Sequence, residues 1–301
     1  MHEQAILKQA PLVLSQSQRE GYFRDGYAIL PDYVPGDWLQ KLRSAIAELV
    51  DSSRSLTQST DAFVLEDGHS ADEPRLHRVT NPQDHHPVLW DFFTDPVMID
   101  LAADVVGPDV KFHHSKLNVK AGKGSSSFDW HQDIPGWPHT DYSPVTVGIY
   151  LEGCASEQGP LNFVRGTNRG PLHRMHDDAG TFVGIDPKVI AALDQNDFIE
   201  GIGGPGTTVL VNCRVIHGSG INRSPKPRPL LLPVYSSADC FPYTANPLPN
   251  QRSGEIVRGK AARFASFDTT PCPLPPDWAR KKSNPWSDKA RHDLETMKGA
   301  A

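Results

Sequence analysis

The sequence predicts a mainly β protein with flanking helices, and three features carry that expectation. Apolar residues in the first third recur at three- and four-residue steps, whereas beyond about residue 110 they alternate at a step of two. Proline and glycine, 27 and 24 in the whole chain, punctuate the second half into short segments, as many short strands require. At 301 residues the chain suits one elaborated globular unit, with enough apolar surface to bury that no staples are needed. The expected organisation is a single domain: a helical part over 16–107, a β core over 108–240 and an irregular wrap over 241–301.

Composition removes several function classes. With 30 Lys plus Arg against 36 Asp plus Glu, the net charge is -6, which argues against a broad polyanion-binding face and so against nucleic acid. No apolar run approaches the roughly 18 residues that cross a bilayer, so no membrane partner is expected. Residues 1–14 show no secretion signal. Cys154, Cys213, Cys240 and Cys272 lie far apart without a CxxC pair. They read as buried thiols of a cytoplasmic protein, neither disulfides nor zinc ligands.

The elements follow in order. A short helix is expected over 16–24, stopped near Gly26, then a strand over 27–30. An amphipathic helix follows, with Gly36 and Asp37 as its cap and Leu39, Leu42, Ile46, Leu49 and Val50 as its stripe. Residues 51–84 are polar and aperiodic, which predicts a loop and a candidate lid, with the C-terminal tail as the other candidate. Asp95 and Pro96 open a second helix that Gly107 ends. Strands are expected over 111–120, 145–151, 161–164, 207–213 and 230–236, interrupted by a short helix from Asp186 and Pro187 through Leu193.

The first of these strands places Phe112, His114, Lys116, Asn118 and Lys120 on one face and Leu117 and Val119 on the other. A polar face is either the solvated side of a sandwich or the lining of a barrel mouth whose outside the helices cover. The strand alone leaves both open.

The chemistry concentrates in Trp130-His131-Gln132-Asp133. Residues two apart on an extended chain share a face, so the His131 imidazole and the Asp133 carboxylate point to one place. An HxD by itself is weak, and a second copy, His176 and Asp178, sits in a charged loop without β pattern. A β-run at 207–212 followed by His217-Gly218-Ser219-Gly220, with Arg228 eleven residues beyond the histidine, is more restrictive. Two histidines and one carboxylate on one face of an octahedral metal leave three positions open, as in non-haem Fe(II) oxygenases. The planar fork of an arginine suits the far carboxylate of a dicarboxylate co-substrate.

At these residues the chain resembles the phytanoyl-CoA dioxygenase family, which includes ectoine hydroxylase. Besides residues 130–133, 217–219 and Arg228, the resemblance includes Gly159-Pro160-Leu161, Gly166-Thr167 and the stretch from Tyr22 to Pro31, and it covers most of 16–236. It implies a double-stranded β-helix, a cupin-like jelly-roll barrel with helices packed on one face. It also implies iron ligands His131, Asp133 and His217, with Arg228 and Ser219 on 2-oxoglutarate and Asn118, backed by Lys116, lining that pocket. The implied reaction consumes 2-oxoglutarate and O2, releases succinate and CO2, and hydroxylates an unactivated C–H bond. Asp133 stands where related halogenases carry a small residue, which disfavours halogenation.

Two departures affect substrate identity: Arg165-Gly166-Thr167-Asn168 where members usually show Pro-Gly-Ser-His, and Pro229 where a second basic residue is common. No basic cluster suits coenzyme A, so the expected substrate is a small polar metabolite such as an amino acid derivative or natural-product intermediate. Trp137 and Phe128 are the candidate substrate contacts. A zinc-dependent hydrolase or a non-catalytic ligand-binding jelly roll remain the alternatives.

Overall fold

The structure is a computed structural model that describes residues 3–122 and 127–276. Of the C-terminal wrap expected over 241–301, residues 277–301 lie outside them. After α1 (Glu3–Leu7), α2 (Gln16–Asp25) begins at a reciprocal cap: the Gln18 N–H donates to Ser15 Oγ, and the Ser15 N–H donates to the Gln18 side chain. It ends at Gly26, whose φ of 87° is the left-handed turn that releases the chain into β1 (Tyr27–Leu30). In α3 (Gly36–Ser52) the predicted stripe is realised, with Leu39, Leu42, Ile46 and Leu49 buried. The cap is corrected: Pro35 precedes the helix and makes no side-chain cap bond, so Gly36 and Asp37 are its first residues.

The expectation of a loop over 51–84 is also corrected. Helix α3 runs to Ser52, and the segment then forms the antiparallel pair β2 (Phe63–Leu65) and β3 (Leu76–Thr80) at a sheet edge. Helices α4 (Pro87–Phe93), which the sequence reading did not foresee, and α5 (Pro96–Val106) follow. The Asp95 carboxylate caps α5 by accepting from the Val97 N–H at 2.9 Å. The remaining elements are β4 (Val110–Lys120), β5 (Phe128–His131), β6 (Val145–Tyr150), β7 (Leu161–Val164), α6 (Pro187–Ala191), β8 (Phe198–Gly201), β9 (Thr208–Asn212), β10 (Ile216–Ser219), β11 (Arg228–Ser237) and β12 (Ile256–Arg258).

These strands make two antiparallel sheets, a larger one ordered β1-β9-β6-β11-β4-β3-β2 with β12 also on β4, and a smaller one ordered β5-β10-β7-β8. No strand pair joins them among the described residues, so the jelly roll is two facing sheets and not a closed cylinder. Alternation sorts the side chains. Val145, Val147, Ile149, Leu210 and Leu231 share one core with α3, α4 and α5, which cover the outer face of the larger sheet. Tyr150, Leu161, Phe163, Val209, Val211, Leu230 and Leu232 fill the space between the sheets.

On β4 a bulge changes that sorting. Val234 pairs with His114 but Tyr235 with Phe112, so the ladder skips His113. Phe112 therefore joins Leu117 and Val119 in the helix-side core and does not share a face with Lys116 and Asn118 as the simple alternation predicts. Residues 241–276 are mostly irregular, as expected, except that β12 pairs with the start of β4. All four cysteines are free, three of them buried.

Candidate active site

The cleft opens between the inner face of the larger sheet and the smaller sheet. It is lined by His131, Asp133 and His217, by Arg78, Lys116, Asn118 and Arg228, and by Phe128, Thr146 and Ser219 among others. Strands β5 and β10 place the two histidines opposite each other, as His217 and His131 are Cα partners in the antiparallel ladder. Gly218 permits this closeness, since a Cβ there would stand 3.0 Å from the Phe128 carbonyl oxygen. Gln132 fixes the segment between His131 and Asp133. It is fully buried, its Nε2 donates to the Arg214 carbonyl at 2.7 Å, and its Oε1 accepts from the His173 N–H at 2.9 Å.

The ligand atoms converge. His131 Nε2 lies 3.9 Å and His217 Nε2 4.0 Å from Asp133 Oδ1, and all three residues are buried. This is the one group of three or more His, Cys, Asp or Glu among the described residues whose ligand atoms lie within 4.8 Å of one another. Each imidazole is oriented by a backbone carbonyl two residues back: His131 Nδ1–H donates to Asp129 at 2.6 Å and His217 Nδ1–H to Val215 at 3.0 Å. A carbonyl only accepts, so the proton is on Nδ1 and the lone pair of each Nε2 faces the carboxylate.

Electrostatics agree with the geometry. Burial and the neighbouring imidazole hold His131 neutral, well below its ordinary range, and burial lowers His217 too. Burial would raise the Asp133 carboxyl, but its neighbours, Lys116 foremost and the Thr146 hydrogen bond among them, more than offset it and keep the carboxylate ionised. Thr146 Oγ donates to Asp133 Oδ2 at 2.8 Å, leaving Oδ1 toward the histidines.

The second part of the cleft is cationic. Arg228 on β11 is buried, its Nη2 donates to the Gly159 carbonyl at 3.2 Å, and its Nε and Nη1 have no partner among the described residues. Ser219 Oγ is likewise buried, with no partner among the described residues. Unfilled donors at this depth are costly unless a ligand accepts from them. Asn118 accepts from Arg78 Nε at 2.9 Å, and Lys116 stands one β step further along the same face.

Most predicted site residues thus meet in one cleft, with one correction. Trp137 is 2% exposed, packs with Ile134, Cys213 and Val234, and does not line the cleft. The tight turn Ile134–Gly136 after Asp133 carries it into the core. Phe128 does line the cleft, stacked on His77 with centroids 5.2 Å apart. His176 and Asp178 form no such cluster, Asp178 being exposed and paired with Arg174. Both departures lie off the cleft lining: Arg165 pairs with Asp197 at the surface, and Pro229 stands opposite Val119. The residue that sequence reasoning missed is Arg78. No alternation marks it, since Leu76-His77-Arg78-Val79-Thr80 sets its two apolar residues three apart inside a stretch otherwise without period.

A neutral-imidazole pair and an ionised carboxylate gathered on one side, with carboxylate-binding donors across the cleft, define the class: the 2-oxoglutarate-dependent ferrous dioxygenases. The family model for phytanoyl-CoA dioxygenase (PhyH) matches residues 22–230, and the chain belongs to that family. The probable alpha-ketoglutarate-dependent hypophosphite dioxygenase of Stutzerimonas stutzeri is 24% identical over 87% of this chain and 92% of its own length. The ectoine dioxygenase of Sphingopyxis alaskensis is 27% identical over 74% and 76%, and the L-proline trans-4-hydroxylase of Streptomyces griseoviridis 28% over 71% and 84%. Among solved structures, EctD from S. alaskensis with bound Fe superposes with a TM-score of 0.65 at 25% identity, covering 84% of this chain and 87% of that one.

Proposed function

We propose that this dioxygenase hydroxylates a C–H bond of a small polar metabolite, with His131, Asp133 and His217 as the iron ligands. Arg228 and Ser219 then take the distal carboxylate of 2-oxoglutarate, and Asn118, with Lys116 behind it, borders the co-substrate. The observation that carries this reading is the pairing of two incomplete groups in one cleft. Three ligand atoms face one another with their far sides already hydrogen-bonded, and an arginine and a serine have buried donors with no partner among the described residues.

Bound iron with 2-oxoglutarate supplies the oxidising power for C–H hydroxylation, and the residues supply placement. Backbone carbonyls lock the histidine tautomers, Thr146 fixes which Asp133 oxygen is free, and Lys116 keeps that carboxylate ionised. The inner apolar residues Leu161, Val211, Leu230 and Leu232 limit water around the reacting carbon. A small substrate is supported by the relatives, whose names specify hypophosphite, ectoine and L-proline.

The test is a panel of amino acids, amines and small acids scored for substrate-dependent succinate release under air. One or more members should raise release in step with hydroxylated product, and only with ferrous iron present. Ester or amide cleavage by the zinc-loaded protein, without succinate, would instead establish the hydrolase.

A further inference from the structure

The smaller sheet ends on β5, and among the described residues β10 is its only ladder partner. His131 closes that strand and Asp133 follows two residues later, so two of the three proposed iron ligands sit on or just beyond a strand paired on one side only. Such an edge opens more readily than the interior of a sheet. Residues 171–185, which contain the second HxD copy at His176 and Asp178, lie against it as a strap.

The strap grips the ligand segment at several points. The Gln132 carboxamide, wholly buried, donates to the Pro171 carbonyl at 3.1 Å and accepts from the His173 N–H at 2.9 Å, and the Gln132 N–H donates to Met175 Sδ at 3.3 Å. At the other end the Ile185 N–H donates to the Trp130 carbonyl at 2.8 Å. Phe182 stands edge-on to His131, with 6.4 Å between centroids. Gly184 permits the approach: its φ is 74°, and a Cβ there would stand 2.9 Å from Asp129 Cβ and 3.0 Å from the Trp130 carbonyl oxygen. Between these points Met175, Phe182 and Ile185 pack with Val164 and Ile216, on the face of the smaller sheet turned away from the cleft. The strap's own closure is an isolated bridge from His176 to Phe182 and a turn from Asp177 to Thr181. Its order therefore depends on what it grips.

With His131 and Asp133 directed into the cleft, the side chain between them points out to the strap. We propose that Gln132 is a positioning residue that couples the strap to the metal centre. Strap docking holds the His131 and Asp133 spacing, and by linkage iron in the site holds the strap down. The coupling rests on His131 and Asp133 being iron ligands, and it makes iron retention a property of the strap as well as of the ligands. It involves no co-substrate contact, since neither Gln132 nor the strap lines the cleft.

Amide hydrogen exchange of the full chain, metal-free and with ferrous iron under anaerobic conditions, tests it alongside chelator competition for iron. In the parent, iron should slow exchange across the strap about tenfold and leave α3, beyond the larger sheet, within about twofold. Gln132→Leu keeps most of the bulk and removes the carboxamide. It should lower iron affinity about tenfold and erase the iron-dependent slowing in the strap. Gly184→Ala leaves Gln132 intact and should reach the same end by pushing the strap off β5. In both variants 2-oxoglutarate should bind the iron-saturated protein as in the parent, which a damaged cleft would not allow.

Strap exchange that iron leaves unchanged in the parent overturns the proposal. Slowing spread evenly over the chain does so too, because it reports global stabilisation. So does parent-like iron affinity in either variant, and so does a matching loss of 2-oxoglutarate binding, which would make Gln132 a residue of the fold at large. A parent that takes up no ferrous iron in the chelator titration ends the ligand assignment first, and the two failures are thereby told apart.

Discussion

His217 lies directly across the ladder from His131, and both rings donate Nδ1–H to the carbonyl two residues earlier in the chain. A pair of antiparallel strands therefore sets the spacing of the two imidazoles, at 4.1 Å between centroids. The carboxylate is set independently, by the turn after β5 and by Thr146 on the opposite sheet.

The Thr146 bond gives the first prediction. Thr146→Val keeps the volume and removes the donor to Asp133 Oδ2, so iron affinity should fall roughly tenfold, as for other outer partners of metal ligands. Iron stoichiometry against a competing chelator measures it. Asp133→Ala should lose iron altogether under the same conditions.

Arg228 should separate co-substrate from metal. Arg228→Ala should weaken 2-oxoglutarate binding by about a hundredfold, because two charge-assisted hydrogen bonds are lost, and should leave ferrous affinity within about twofold of the parent. Parallel titrations of the two ligands decide it. Arg228→Lys should fall between, retaining the charge without the fork.

Trp137 and Phe128 should behave oppositely. Trp137→Ala opens a hole among Ile134, Cys213 and Val234 and should cost about 3–5 kcal/mol of stability. Trp137→Phe should leave the KM for substrate unchanged. Phe128→Ala should raise that KM at little cost in melting temperature. Denaturant unfolding alongside initial rates distinguishes a packing residue from a cleft wall.

That contrast shows what the sequence made legible. The proposed iron ligands were readable because a step of two on a strand is a strict geometric statement, and His217 sat at a glycine-rich strand end. Trp137 misled because proximity in sequence to Asp133 is not proximity in space once a tight turn intervenes. Phe112 misled because a bulge at His113 reverses the faces of β4, and a bulge leaves no mark in alternation until its partner strand is known. Arg78 was hidden for a related reason. It belongs to a five-residue strand whose role depends on pairing with Asn118, 40 positions away.

A pH prediction comes from outside the cleft's metal cluster. His113, His114 and His139 are buried together around Trp137. Burial pushes His139 down from its ordinary 6.5 to about 4, and it lowers the other two as well. A histidine lowered in the folded state is protonated first in the unfolded chain. Stability is therefore complete above pH about 6.5 and is lost as pH falls toward 4, by about 3 kcal/mol for His139 alone. Urea unfolding of the metal-free protein at pH 7.5, 6 and 5 should show this decline, and His139→Gln should make it shallower, with His113 and His114 left to contribute the rest. A stability independent of pH across that range would mean these rings are not neutral in the fold.

The central claim is that His131, Asp133 and His217 hold one ferrous ion that 2-oxoglutarate then chelates. Anaerobic addition of ferrous iron and 2-oxoglutarate to the metal-free protein tests it most directly, followed by visible absorption. The account predicts a weak charge-transfer band that requires both additions, saturates at one iron per chain and is absent in His217→Ala. A band that persists in His217→Ala, or none in the parent protein at saturating iron and co-substrate, would contradict it.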